Sequence, residues 1–178
     1  MLAILFVVVC VVLRVVPHPP NFAPVGATAI FAGRTMKPAF GVAFTILAAF
    51  LGDVALAKLR GYPLLTGVSV FVYGSYALQA VVGRALRTKK GGAVIASLCG
   101  SVVFFVLSNL GVWLVGDLYP LTTSGLISCF VAAIPFFGGT LVGDLMWTVV
   151  LSFAYGQVAT RLGENRFWVP VTPSGSVL

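Results

Sequence analysis

The charged residues of this chain stand in short clusters, and the stretches between them are almost unbroken apolar sequence. Lys and Arg number 11 and Asp and Glu 4 among 178 residues, 60% of the residues are hydrophobic, and mean hydropathy is +1.09. A soluble domain of this size would hold that surface against water, so the pattern predicts a polytopic helical membrane protein of one domain. In lipid each backbone polar group must be paired within its own element, which makes the spanning elements helices. In a soluble protein a net charge of +7 would point to nucleic acid. Here the bases fall between apolar runs and read as topology signals and lipid-headgroup contacts, with no nucleic acid as a partner.

The expected architecture is all-α, with about six transmembrane helices and one interfacial or re-entrant helix before the last span. Residues 1–162 form the transmembrane domain, and 163–178 a polar tail. The first helix covers about 2–16; it lacks the basic start and small-residue cleavage site of a signal peptide and reads as retained. Arg14, near its end, is expected to snorkel to an interface. A short second helix covers about 24–34, where Ala23/Ala27 and Ala29/Gly33 are small-residue pairs that allow close helix approach. The third runs about 38–57, the fourth about 65–86 and the fifth about 92–116, with Gly92, Ala96 and Gly100 as a further packing face. The segment 126–137 is too short and interrupted to span comfortably. Gly138 and Gly139 are expected to break it from a last helix over about 140–161.

One stretch stands apart from the apolar background: Val16-Pro17-His18-Pro19-Pro20-Asn21-Phe22-Ala23-Pro24. Proline fixes φ, lacks a backbone donor and pushes the preceding residue out of the helical region. The stretch is therefore an ordered, extended loop, which at a membrane must lie at the interface or line a protein-walled cavity. It reads as the wall or gate of a small-molecule site. The bases fit that picture. If the second and third helices both cross, Arg34, Lys37, Arg84, Arg87, Lys89, Lys90, Arg161 and Arg166 share one face, which the positive-inside rule places in the cytoplasm. Both termini are then cytoplasmic in a multi-pass protein of the inner (cytoplasmic) membrane. The proline loop, residues 59–65 and residues 117–137 face outward.

The polar and aromatic residues expected near that outer face form the candidate substrate-binding set. They are His18, Asn21 and Phe22 of the loop, Tyr73 and Tyr76 of the fourth helix, Asn109 and Trp113 of the fifth, and Thr140, Asp144 and Trp147 of the last. Aromatic walls with a few directional polar groups are the usual make-up of a small-molecule pocket. Asp53 and Asp144 each follow a glycine inside an apolar run, and an ionisable residue at membrane depth is a functional candidate by default. They leave open a membrane enzyme built on the two carboxylates; a structural subunit without ligand is the other alternative. No catalytic residue, metal site or cofactor is assigned. Cys10, Cys99 and Cys129 have no metal-ligand spacing and read as apolar packing residues. The chain has no P-loop, no HExxH and no Gly-x-Ser-x-Gly.

Several of these motifs together resemble an uncharacterised bacterial membrane family. They are Pro17-His18-Pro19-Pro20-Asn21-Phe22-x-Pro24-x-Gly26-Ala27, Val72-Tyr73-Gly74-Ser75, Tyr119-Pro120-x-Thr122, and Ala132-Ala133-Ile134-Pro135-Phe136-Phe137-x-x-Thr140-Leu141-x-Gly143-Asp144. That family is in turn similar to the substrate-binding S components of energy-coupling factor (ECF) transporters. The resemblance implies a non-enzymatic subunit that captures a vitamin or metal ion from the outer face. It would hold its substrate between the first loop, the fourth helix, the loop before the last helix and the last helix, and dock on an ECF-type transmembrane scaffold carrying two ATPases. The first helix lacks the Ala-xxx-Ala pattern through which many S components dock. The small faces of the second helix and Ala39/Ala43 of the third are the alternative docking faces, and the remaining alternative is a protein that acts alone.

Overall fold

The computed structural model describes residues 2–162 apart from Pro20. Met1, the tail expected over 163–178 and the side chains at 2–5 and 158–162 lie outside the described residues. Six helices make up the described chain: α1 (Leu2–Val15), α2 (Val25–Thr35), α3 (Pro38–Arg60), α4 (Gly67–Ala85), α5 (Gly92–Val115) and α6 (Thr123–Leu162). Their ends carry the expected local signals. Pro38 occupies the first turn of α3, and Gly61 closes it in the left-handed region at φ 69°. Thr66 and Ser69 form a reciprocal capping box at the start of α4.

The helices alternate in direction. Arg60 at the end of α3 donates to the Val15 carbonyl at the end of α1, and a Cβ on Gly67 would touch Val115. That end of the bundle holds the proline loop. At the opposite end Arg34 of α2 donates to the carbonyls of Leu86 and Arg87, at 2.9 and 3.3 Å. A guanidinium there meets carbonyls just past the end of α4, at the negative pole of that helix.

The centre of the bundle is α2. All 11 of its residues are buried, and it packs on α3, α4, α5 and α6 and touches α1. Its small residues make that possible. A Cβ on Gly33 would overlap the Ala80 carbonyl of α4, and one on Gly83 would overlap the Ile30 carbonyl of α2. The two backbones meet reciprocally, as the small-residue pairs anticipate. Gly33→Val is expected to destabilise the bundle by at least about 1–3 kcal/mol, since no flexible side chain is there to yield. Thermal unfolding of the detergent-purified variant measures this; an unchanged melting temperature would contradict the close contact.

The distribution of polarity suits lipid. Three helices are long and apolar enough to cross a membrane: α3, α5 and the Thr123–Gln157 part of α6. Leu47, Val102, Val142 and Phe153 face outward from them, whereas Thr45, Gln79, Ser101, Thr140 and Asp144 are buried. Several buried hydroxyls return their proton to the carbonyl one turn back, as in Thr35 to Phe31 and Thr45 to Gly41.

Two expectations are corrected. First, no separate interfacial helix covers 126–137 and no break occurs at Gly138-Gly139. Both fall inside the single 40-residue helix α6, which also contains Pro135. Neither glycine takes a positive φ, and proline and glycine are tolerated in apolar helices where neighbours satisfy the freed groups. At 1.5 Å per residue α6 is about 60 Å long, roughly twice a bilayer core. Second, Arg14 does not snorkel. Its side chain is only 16% exposed and forms an ion pair with Asp53 of α3.

Candidate functional site

A cavity of about 440 Å3 lies under the proline loop, walled by α1, α2, α3, α4, α5 and α6. His18 and Asn21 stand at its rim with Arg60 and Tyr62, all exposed to solvent. The loop keeps its shape through short-range bonds. His18 Nδ1–H donates to the Pro19 carbonyl at 2.8 Å, and Phe22 N–H returns to Pro19 at 3.1 Å. Asn21 adopts φ 58°, a left-handed conformation that asparagine tolerates better than most residues. Trp147 holds the loop from below: its indole N–H donates to the Phe22 carbonyl at 2.9 Å, and its ring meets Phe22 edge-on at 6.4 Å.

Asp144 of α6 lines the cavity while only 3% exposed. The Ser101 hydroxyl lies 2.8 Å from its Oδ2, and the Ala27 N–H also donates to the carboxylate. Ala27 is in the first turn of α2, where backbone N–H groups have no partner within the helix and the dipole favours an anion. Gly26 leaves the space for this approach, since a Cβ there would collide with the carboxylate. Asp144 has no ion-pair partner among the described residues.

Gln79 of α4 shares the cavity and is wholly buried. Its Nε2 donates to the Gly100 carbonyl at 2.8 Å, while its Oε1 accepts from no group among the described residues. Above it, Tyr76 stacks on Phe104 with centroids 5.5 Å apart, and both rings line the cavity.

A polar relay flanks the site. Tyr73 O–H and Arg14 both donate to Asp53, and Arg14 also donates to the Tyr76 hydroxyl. Arg14 Cδ rests against Gly52, where a Cβ would overlap it. The relay ties α1, α3 and α4 together. Asp53 and Tyr73 line a different, smaller cavity of about 180 Å3, so the two aspartates line separate cavities.

The candidate residues therefore divide. His18, Asn21, Tyr76, Thr140 and Asp144 line the main cavity. Phe22 and Trp147 support its roof, and Tyr73 belongs to the relay. Asn109 lines a second cavity of about 360 Å3, with Nδ2 donating to the Phe105 carbonyl at 2.7 Å. Trp113 stands apart, half-buried, with its N–H on the Pro120 carbonyl at 3.0 Å. Arg14, Gly26, Gln79 and Ser101 belong to the site or its support although sequence reasoning did not place them there. Gln79 was within reach: it continues the Tyr73, Tyr76 spacing of three along one face of α4.

The sequence profile of a family of unknown function, DUF6580, matches residues 1–166. The chain belongs to the DUF6580 family. That match spans the proline loop, the relay and α6, so every residue of the site lies within the DUF6580 region. Comparison with curated proteins and with solved structures returns no match.

Proposed function

We propose that this DUF6580 protein is a membrane-embedded solute-binding subunit of the S-component type, which captures a small micronutrient from the outer face for uptake. The observation that carries the reading is the cavity beneath the proline loop, with Asp144 buried in its wall and no cation paired to it among the described residues. Its volume of about 440 Å3 lies within the usual range of small-molecule sites, roughly 300–1,000 Å3. A buried carboxylate without a counter-ion is costly to keep ionised, and a bound donor or cation would meet that cost. One carboxylate and one imidazole are a meagre set for a bare transition-metal ion, so within the vitamin and metal-ion classes an organic solute is favoured.

In this reading the six helices alternate across the inner membrane, with both termini in the cytoplasm and the proline loop outside. The inward cluster of Arg34, Lys37, Arg84, Arg87, Lys89 and Lys90 supports that orientation. Without a nucleotide-binding motif of its own, the chain would draw energy from an ECF-type scaffold and its ATPases. Cysteine placed at Leu118 is expected to react with an impermeant maleimide on intact spheroplasts, and cysteine at Lys89 only after lysis. The reverse pattern would invert the topology.

The test of the function is a thermal-shift panel of water-soluble vitamins and related organic nutrients on the detergent-purified chain. A solute at a hundred times its Kd should stabilise the protein by about 2.7 kcal/mol. A clear shift with one chemical class supports capture; a flat response across a broad panel removes it in favour of a structural subunit.

A further inference from the structure

The main cavity does not end at Phe104. The second cavity, about 360 Å3, shares four of its walls: Asn21, Val72, Phe104 and Thr140. The two spaces differ in chemistry. Val68, Val112, Phe105, Phe136 and Phe137 make the second lobe largely apolar, with Phe105 and Phe137 rings 4.8 Å apart. The deep part of the main cavity is instead rich in acceptors. Asp144 brings a carboxylate, and Gln79 brings a wholly buried carbonyl oxygen with no donor among the described residues. Thr140 lines the same space and sends its own proton to the Phe136 carbonyl at 3.3 Å, which leaves its oxygen able to accept.

Buried acceptors of this kind need donors from a ligand. Of the two arginines that line the cavity, Arg14 is already paired with Asp53. Arg60 is exposed at the rim and donates to the Val15 carbonyl. The positive groups therefore sit at the side and mouth, and the unmatched negative group sits deep. The stacked Tyr76 and Phe104 rings flank that deep region, and aromatic faces attract cations.

Resting on the solute-capture reading above, we infer that the captured solute is an amphipathic organic cation. Its nitrogen head, an ammonium, amidinium or protonated amino-heterocycle, meets Asp144 and Gln79 Oε1, and its apolar body lies in the second lobe. Asn21 and Thr140 stand at the junction of the two lobes and set how head and body are joined. An anionic group elsewhere on the molecule has partners at the rim, on Arg60 and His18.

Three matched probes test this on the full-length purified chain: phenethylamine, phenethyl alcohol and phenylacetate, titrated by thermal shift. Phenethylamine should bind roughly tenfold or more tightly than either of the others, the worth of one charge-assisted hydrogen bond. Its advantage should vanish in Asp144→Asn, and its affinity should fall in Val68→Phe, which narrows the apolar lobe. The ranking on the unaltered protein stands even where a variant fails to fold. Phenylacetate binding as well as the amine, an amine advantage that survives Asp144→Asn, or no response to any of the three would overturn the inference. A micronutrient hit that is anionic and lacks a nitrogen donor would also overturn it while leaving solute capture in place, so the two failures are distinct.

Discussion

Asp144→Asn is expected to weaken solute binding by roughly ten- to hundredfold, the 1.5–3 kcal/mol of a hydrogen bond to a charged group, while the bundle stays folded. The two effects separate because Asp144 has two jobs. Towards the protein it accepts from Ser101 and from the Ala27 N–H at the start of α2, and an asparagine oxygen can still serve one of those donors. Towards the cavity it supplies a charge, and asparagine supplies none. Asp144→Ala removes both jobs. It leaves the Ala27 N–H short of an acceptor, at about 1–3 kcal/mol of stability, whereas the Ser101 hydroxyl can turn to the Ser97 carbonyl at 3.0 Å. Binding titrations and unfolding curves on the two variants should therefore diverge: binding lost in both, stability lost mainly in Ala. Full affinity in Asp144→Asn would remove Asp144 from the site.

The second large effect lies in the relay. Asp53→Ala should destabilise the protein by about 3 kcal/mol, the lower end of the cost of orphaning one partner of a buried ion pair. The lower end applies because the side chains of Arg14 and Asp53 are 16% and 20% exposed. Arg14 would lose its counter-charge and Tyr73 its acceptor, and α1 would lose a tie to α3. The paired replacement Arg14→Met with Asp53→Leu should recover most of that loss, because an apolar pair needs no compensation in a buried setting. Equilibrium unfolding in detergent micelles measures both. A change below about 0.5 kcal/mol for Asp53→Ala would mean the pair behaves as a surface salt bridge.

Much of this site was legible in the chain because local chemistry set it. Four prolines and an asparagine force residues 17–24 out of any helix, and the small residues of α2 admit close neighbours, so the loop and the central helix could be read directly. What escaped depended on partners far away in sequence. Arg14 looked like an interfacial base because its carboxylate stands 39 residues later. The spacing along α4 gives the face of Gln79 but no signal of its role: only the distant Gly100 carbonyl fixes its amide and leaves its oxygen without a donor among the described residues. Pro135 and Gly138-Gly139 carried the strongest breaker signals, yet α6 passes through all three. Breaker strength is a property of water-exposed chains, and among apolar neighbours the helical hydrogen bonds have no competitor. Trp113 was grouped with the site by its position near one end of α5, but its N–H is taken by Pro120 in the adjoining loop.

The most direct measurement is a structure of the protein bound to whichever organic solute stabilises it most. Density is expected beneath the proline loop, with a polar group of the solute within hydrogen-bonding distance of Asp144 and Gln79. Density outside that cavity, or a bound solute that leaves Asp144 and Gln79 untouched, would contradict it.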